Sequence, residues 1–277
     1  MGMAPRSQTF WLFRRGNEPS QCQDACAADD STGRYAVADG ASEGCFSRLW
    51  ATILVRDFVQ NGSAPDQWYG SLAKAQAQWD ADVQGRVLRR SAERGVRQGA
   101  FATFLGIVLG NSPWPPAAPQ STEERQEVTA DSPLPHAEKG QRVMAAPYHW
   151  QAVAVGDTCL MHTRAGVLLR AFPLQSPLQF NNDPHLVGSR MSAENVHRRQ
   201  TLWADGLGQR GDRLWAMTDA LAQCCLTVQE NGGNPWSELE SLLAEPDAEA
   251  KFVARIEALR DSRQLKNDDV TLLAIKL

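Results

Sequence analysis

The sequence lacks the residue patterns of several common kinds of protein. It has no GxxxxGKS loop for binding nucleotide phosphates, so kinase or ATPase chemistry has no support. Its six cysteines form no CxxC pair, and no histidine cluster accompanies them, which argues against a structural zinc site. The net charge of −4 provides no strongly basic surface, so we expect neither nucleic acid nor an anionic membrane as a partner.

Long hydrophobic runs are also lacking. No segment reaches the roughly 20 apolar residues that a membrane-spanning helix needs. The segment Met1–Gly16 carries most of its charged side chains, Arg14 and Arg15, after a short apolar run, whereas a signal peptide carries them before it. Cysteines without a disulfide pattern are typical of a reducing compartment. We therefore expect a soluble, cytoplasmic protein.

The length of the chain allows a substantial buried core. With 277 residues, of which 43% are hydrophobic, the sequence is typical of a globular protein. Residues 111–147 are an exception, because seven prolines stand there among Ser, Glu and Gln without aliphatic periodicity. We predict one domain over residues 1–277, with a flexible Pro-rich insertion at 111–147 that joins two strands of a hairpin.

Apolar alternation and helical spacing predict strands near both ends of the chain and helices in pairs. Helices are predicted at Ser42–Gln60, from Pro65 through Val83, after Asp219, at Leu239–Leu243 and at Ala248–Leu259. Strands are predicted at Thr9–Phe13, around Asp24, and at Tyr35–Ala38, Gly99–Leu109, Trp150–Val155, Cys159–Thr163, Val167–Phe172, Thr201–Leu207, Arg213–Thr218 and Val270–Leu277. Antiparallel connections outnumber βαβ units, so the pattern predicts an α+β fold of two sheets covered by helices.

Aspartates stand at the ends of five predicted strands. They are Asp24, Asp39, Asp157, Asp219 and Asp268. Any one of them could simply cap a turn, but several carboxylates in one place repel each other and cannot all stay ionised without cations. Carboxylate oxygens suit hard cations such as Mg²⁺ or Mn²⁺, and paired ions of this kind bind phosphate and activate water. The set therefore predicts a metal-dependent phosphate chemistry.

A family resemblance rests on six motifs that occur in order. They are CQDA, VADG, GAFATFLGIVL, AVGDT, GDRLWAMTDALA and NDDVTLLAI. Together they resemble the metal-dependent Ser/Thr protein phosphatases of type 2C, the PPM family, and a bacterial signalling branch in particular. The resemblance covers about Arg14 to Leu277, apart from 111–147 and 173–199. It implies a four-layer α-β-β-α sandwich of two antiparallel sheets flanked by helices.

The resemblance also implies an activity and a set of ligands. The family hydrolyses phosphoserine and phosphothreonine in proteins with water activated between two metal ions, opposite a cognate Ser/Thr kinase, and we expect a monomer. Asp39 is implied to bridge two Mn²⁺ or Mg²⁺ ions, with the Gly40 carbonyl as a ligand of the second ion. Asp219, the other catalytic carboxylate, and Asp268 are implied to bind the first ion.

The remaining acidic residues have lesser implied roles. Asp24 matches the residue that holds metal-bound water in the family. Asp157 matches the aspartate linked to a third, weaker metal. Asp269 stands where the family usually has asparagine, so its charge either joins the site or faces solvent.

The sequence departs from the family pattern at three positions. Gln23 replaces a glutamate, which removes a charge but keeps a hydrogen-bonding oxygen. Pro19 replaces the phosphate-binding arginine, so Arg14 or Arg15 is the candidate for that role, since guanidinium suits bidentate phosphate contact; the alternative is a solvated pair of arginines. Ala41 replaces the histidine of eukaryotic members, which leaves the leaving group without an obvious side-chain acid.

Two other functions stay open on the sequence. The lost arginine is compatible with a catalytically weak or inert regulatory or binding module of the same fold. A metal-dependent hydrolase of small phosphomonoesters is the third interpretation.

Overall fold

The computed structural model describes residues 5–41, 46–61, 67–84, 95–110, 148–190 and 200–277. The prediction of a flexible insertion at 111–147 lies outside these residues. The strands on either side of that insertion are antiparallel neighbours, with Phe104 opposite Val155, so the segment does connect two paired strands.

Two antiparallel sheets form the centre of the molecule. The first has the order β1-β11-β10-β6-β7, and its strands are Arg6–Leu12 (β1), Cys159–Arg164 (β6), Val167–Phe172 (β7), Arg213–Met217 (β10) and Val270–Lys276 (β11). The second has the order β2-β3-β4-β5-β9, and its strands are Asp24–Asp29 (β2), Arg34–Gly40 (β3), Phe101–Gly110 (β4), Tyr148–Val155 (β5) and Leu202–Gly208 (β9). The short strand Val187–Gly188 (β8) pairs with β4.

Helices cover the outer face of each sheet. Ser47–Asn61 (α1) and Trp68–Val83 (α2) lie on the second sheet. Asp219–Glu230 (α3), Pro235–Leu243 (α4) and Ala248–Asp261 (α5) lie on the first. Short 3₁₀ turns occur at Pro19–Gln21 and Pro177–Gln179.

Period-two alternation explains how each strand serves two layers. In β3, Ala36 and Ala38 pack against the helices, while Tyr35 and Val37 pack between the two sheets. Burying a large apolar side chain such as that of Val37 stabilises the fold by about 1.5–3 kcal/mol. Each strand therefore contributes packing contacts on both of its faces. The predicted arrangement of two antiparallel sheets flanked by helices is therefore confirmed.

The start of the first helix differs from the sequence prediction. We predicted a helix from Ser42, but Phe46 has a φ of +63°, a left-handed conformation that an α-helix does not contain. The helix begins at Ser47 instead, and residues 42–45 lie outside the described part of the chain. The predicted start at Pro65 also lies outside it.

Two further observations concern the described residues alone. Their five cysteines are free thiols. None of their helices is both long and apolar enough to cross a membrane.

Candidate metal centre

The aspartates singled out in the sequence converge on one end of the sandwich. Asp24 opens β2 and lies directly opposite Asp39 in the register of β2 and β3. Asp219 follows β10, Asp268 precedes β11, and Asp157 lies in the turn between β5 and β6. Both sheets therefore contribute carboxylates to the same place.

A threonine joins the two sheets beneath these carboxylates. The Thr218 hydroxyl donates to Asp24 Oδ2 at 3.1 Å, and it accepts the backbone N–H of Thr271 at 3.0 Å. Because β10 and β11 are antiparallel, the end of one strand meets the start of the other, and Thr218 sits at that junction. The contact places Asp24 of one sheet next to Asp219 of the other.

Two glycines allow the chain to pass close to the aspartates. A Cβ on Gly40 would lie 2.9 Å from the carbonyl oxygen of Gln23 and 2.9 Å from the carbonyl carbon of Ser47. Gly156 has a φ of +90°, and a Cβ there would lie 2.5 Å from the carbonyl oxygen of His185. The residues beside Asp39 and Asp157 therefore have to be glycines.

The carboxylates open into a cleft of about 680 Å³. Its lining includes Asp39, Asp157, Asp219, Asp268, Gly40 and Ala41. Two cationic side chains, Arg14 and Lys266, line it as well. The cleft is accessible to a ligand and is predominantly acidic.

Burial and mutual repulsion disfavour ionisation of most of these carboxyls. Burial, followed by the charges of the neighbouring aspartates, raises the pKa of Asp39 well above its usual range. Burial likewise raises the pKa of Asp24 to about 8 and that of Asp157 to about 7, and it raises the pKa of Asp219. At Asp268 burial also opposes ionisation, but hydrogen bonds from Lys266 and Arg14 lower the pKa overall.

Two carboxylate oxygens of this cluster lack a hydrogen-bond partner among the described residues. Among the described residues, Oδ1 of Asp24 and Oδ1 of Asp219 are buried without a hydrogen-bond partner. Leaving such an atom unpaired costs about 1–3 kcal/mol, so its presence calls for a ligand. An all-carboxylate set with spare oxygens fits a hard divalent cation such as Mn²⁺ or Mg²⁺.

The carboxylates do not form a ready-made cage in this conformation. Within the described part of the chain, no three acidic, histidine or cysteine side chains lie close enough together to hold one ion. Arg14 contacts Oδ1 of Asp268, and Lys266 Nζ lies 2.9 Å from Oδ2 of the same residue. Both oxygens of that carboxylate are therefore held by side-chain cations.

The two adjacent arginines lie in different surroundings. Arg14 lines the cleft, and its Nε is buried without a hydrogen-bond partner among the described residues. Arg15 instead contacts Glu257 and lies 2.8 Å from Asp261 Oδ1, both on α5. The structure thus brings Arg14 to the aspartates and places the Arg15 side chain away from them.

Asp269 takes neither of the two positions that the sequence left open. Its side chain is buried, and its oxygens accept the backbone N–H groups of Arg14 at 2.7 Å and Gln23 at 2.8 Å. Because the two N–H groups bond to different oxygens, an asparagine in the same orientation would face one of them with its own NH₂ donor. Asp269 therefore anchors the two backbone segments that carry Arg14 and Asp24.

Sequence reasoning missed several residues that shape the site. The buried Arg260 donates to the carbonyl oxygens of Phe13 at 3.2 Å and Asp268 at 2.6 Å, which fixes the chain on both sides of the cleft. Its spacing of four from the buried Ile256 was a readable signal, because it puts an arginine on the apolar face of α5. Lys266 and Thr218 each stand within two residues of a predicted ligand, but their contacts depend on the tertiary fold.

Comparison with known proteins gives matches at the level of structure. No model of a protein family matches the sequence, and no curated protein matches it significantly. The fold is similar to that of PppA, a regulatory component of the T6SS in Pseudomonas aeruginosa, with a TM-score of 0.52, 17% identity, and coverage of 99% of this chain and 98% of that chain.

Two further solved structures are similar over the same extent. The catalytic domain of the Ser/Thr protein phosphatase PstP, in complex with two manganese ions, has a TM-score of 0.55 at 14% identity and covers 99% of this chain and 98% of its own. The photosystem II phosphatase PBCP has a TM-score of 0.57 at 15% identity, with the same coverage of 99% and 98%. This chain therefore has the fold of the metal-dependent Ser/Thr protein phosphatases of type 2C.

Proposed function

We propose that this protein is a metal-dependent protein phosphatase that hydrolyses phosphoserine or phosphothreonine. One observation carries the proposal: Asp39, Asp157, Asp219 and Asp268, from both sheets, line one open cleft with Asp24 bonded to Thr218 beside it. Among the described residues, Asp24 and Asp219 each keep a buried oxygen without a hydrogen-bond partner. Such an arrangement is costly for the fold and is explained by ligands that the chain itself does not supply.

Divalent cations are the ligands that these residues fit. In the proposed arrangement Asp219 and Asp268 would hold the first Mn²⁺ or Mg²⁺ ion, the Gly40 carbonyl would hold the second, and Asp39 would contribute to both. When bound, such ions neutralise the phosphate and activate water for attack on phosphorus. Asp24 supports the site from beneath through Thr218, and Asp157 is the candidate for a third, weaker site.

Arg14 is the candidate for holding the phosphate. Of the two candidates, Arg14 is the one that lines the cleft; its backbone is anchored by Asp269, and its guanidinium lies beside the acidic cluster. Contact with Asp268 orients the guanidinium, and a guanidinium offers further N–H donors to a phosphate oxygen. Arg15 is already engaged by two carboxylates on α5, so we assign it a structural contact instead.

The inert-module interpretation also has a specific observation in its favour. Within the described residues no three candidate ligands are grouped around one point, and Asp268 is already paired with two cations. Calorimetry with Mn²⁺ separates the two functions, because an inert module of this kind would not bind the metal at millimolar concentration.

The broader context of the proposal follows from the substrate class. A phosphoprotein phosphatase requires a Ser/Thr kinase that phosphorylates the same protein. We propose a monomeric, cytoplasmic enzyme in bacterial signalling, with residues 1–277 as one phosphatase domain. The layer of side chains shared by the two sheets supports the single domain.

The test is hydrolysis of a phosphopeptide with and without Mn²⁺. We expect Mn²⁺-dependent release of phosphate by the wild type and a loss of at least about 100-fold in kcat/KM for Asp39→Asn and Asp219→Asn, because each removes a charged ligand. Asp205→Asn, an exposed aspartate on β9 outside the cleft, is the matched control. Full activity in either cleft variant contradicts the proposal. Faster hydrolysis of a small phosphomonoester than of the peptide would favour a metabolite phosphatase.

A further inference from the structure

Lys266 lies between two of the carboxylates that the proposed function assigns to one metal ion. Its Nζ is 2.9 Å from Oδ2 of Asp268 and 3.6 Å from Oδ2 of Asp219. These two aspartates come from different parts of the chain, one after β10 and the other before β11. The two carboxylates therefore share the ammonium group of Lys266.

The burial of the three groups is unequal. The side chains of Asp219 and Asp268 are 18% and 19% exposed, whereas that of Lys266 is 52% exposed. Lys266 thus reaches in from solvent to neutralise two carboxylates that are mostly withdrawn from it. If Lys266 turns out toward solvent, water can hydrate its ammonium group. Water cannot replace all of the contacts that the two carboxylates lose.

We propose that Lys266 is a built-in counter-ion that exchanges with the first divalent cation and thereby sets the affinity of the site for metal. The inference rests on the proposed metal site. A dication bound by Asp219 and Asp268 would repel the ammonium group and compete with it for the same carboxylate oxygens. The metal therefore binds only as Lys266 leaves, and the free energy of the lysine contacts is subtracted from the free energy of metal binding.

A lysine is suited to this exchange. Its ammonium group is a point charge on a flexible four-carbon stem, and water hydrates it strongly once it is released. Arg14 holds the other oxygen of Asp268, so that carboxylate keeps one cationic partner after Lys266 departs. In the metal-free state Asp268 is therefore charge-compensated, and Lys266 can leave it without removing its last cationic partner.

The test compares Lys266→Met with the wild type in two measurements. In titration calorimetry with MnCl₂, we expect a Kd about two- to fivefold lower for Lys266→Met, the range that corresponds to losing a partly exposed ion-pair contact. In thermal unfolding without metal, we expect a lower Tm for Lys266→Met, because Asp219 and Asp268 lose their shared cation. Tighter metal binding together with a less stable metal-free protein is the signature of exchange.

Lys251→Met is the matched control. Lys251 pairs with Glu245 at 2.9 Å and Asp247 at 3.4 Å, outside the cleft, and its side chain is 44% exposed. We expect this variant to leave the Mn²⁺ affinity unchanged. Repeating the titrations at about 0.5 M NaCl separates the effect of the direct Lys266 contacts on Mn²⁺ affinity from the effect of its long-range charge. Salt screens distant charges more than partly buried contacts. The affinity gain of Lys266→Met should persist there.

Three other outcomes would contradict the exchange. An unchanged or weaker Mn²⁺ affinity in Lys266→Met overturns the exchange, as does a gain that disappears in high salt. Absence of Mn²⁺ binding in both the wild type and Lys266→Met overturns the proposed function itself, and with it the exchange.

Discussion

Asp212 and Asp219 stand at the two ends of β10 and have opposite environments. Asp212 is 1% exposed and lies 2.9 Å from His162 Nε2, while Arg164 donates to it from Nε at 2.8 Å and from Nη2 at 2.9 Å. Burial opposes its ionisation, but the hydrogen bonds from Arg164 and the backbone of Gln209 lower its pKa overall. Asp219 has a raised pKa, mainly from burial, and keeps an oxygen without a hydrogen-bond partner among the described residues.

The difference shows where the fold supplies its own partners and where it does not. At Asp212 every contact comes from within the chain, so the carboxylate is part of the structure. At the opposite end several carboxylates gather with too few partners, which a fold tolerates mainly at sites that bind something else. Aspartates that flank the same strand therefore contribute to stability at one end and to the proposed function at the other.

The largest effect on stability is expected at the satisfied end. Asp212→Asn removes the charge that Arg164 and His162 face, and breaking such a buried pair costs about 3 kcal/mol. We expect a lower free energy of unfolding by about that amount in urea denaturation, with Asp205→Asn as the exposed control. A change below about 0.5 kcal/mol would show that the two ends of β10 do not differ in this way.

The next effect concerns the two adjacent arginines. Arg14→Met should raise KM for a phosphopeptide at least about tenfold, because a charge-assisted contact to phosphate is worth about 1.5–3 kcal/mol. Arg15→Met should leave KM within about twofold, since Arg15 contacts α5 rather than the cleft. Equal effects of both substitutions, measured by steady-state kinetics with Mn²⁺, would remove the assignment of Arg14.

A smaller effect of opposite sign is expected at the unsatisfied end. Asp39→Asn replaces a buried carboxyl, whose ionisation is opposed by burial and by Asp24 and Asp219, with an uncharged side chain of almost the same shape. The metal-free variant should therefore be more stable than the wild type by about 1 kcal/mol in urea denaturation, even though it loses activity. A metal-free Asp39→Asn variant that is less stable would mean that the fold, and not a ligand, requires this carboxylate.

The pH dependence of the stability of the metal-free protein should be set by the carboxyls whose pKa values are raised. The folded-state pKa values of Asp24, about 8, and Asp157, about 7, lie above the unfolded value near 3.8, so between these values the folded protein binds more protons and its stability falls as pH rises. We expect Tm to fall by about 5–10 °C between pH 5 and pH 8 without metal, and by less with saturating Mn²⁺. Asp212 has a lowered pKa, and its contribution is lost only below about pH 3.8. A Tm that is flat or rising over this range without metal would contradict the assignment.

Much of the fold was predictable because it depends on local patterns. Apolar alternation predicted the strands around Asp24 and at Tyr35–Ala38, and the register of β2 and β3 places Asp24 opposite Asp39. The contact that joins the sheets was not predictable, because Thr218 and Asp24 lie 194 residues apart in the chain.

Other features depend on the course of the backbone and the direction of side chains, which cannot be read from the sequence. Arg14 and Arg15 are identical in type and adjacent, so only the course of the chain after β1 decides which one meets the cleft. The left-handed Phe46 is likewise unexpected, since such a conformation normally favours glycine or asparagine. Asp269 was recognised as unusual, but its two backbone partners became visible only in the folded chain.

The most direct test of the central claim is a crystal structure of the protein soaked in Mn²⁺, with anomalous scattering used to locate the metal. We expect two anomalous peaks in the cleft, both within about 2–2.5 Å of the Asp39 carboxylate, the distance range of hard cations bound to oxygen. Asp219 and Asp268 should contact the first peak. A cleft without a peak at saturating Mn²⁺, or peaks that do not touch Asp39, would contradict the account.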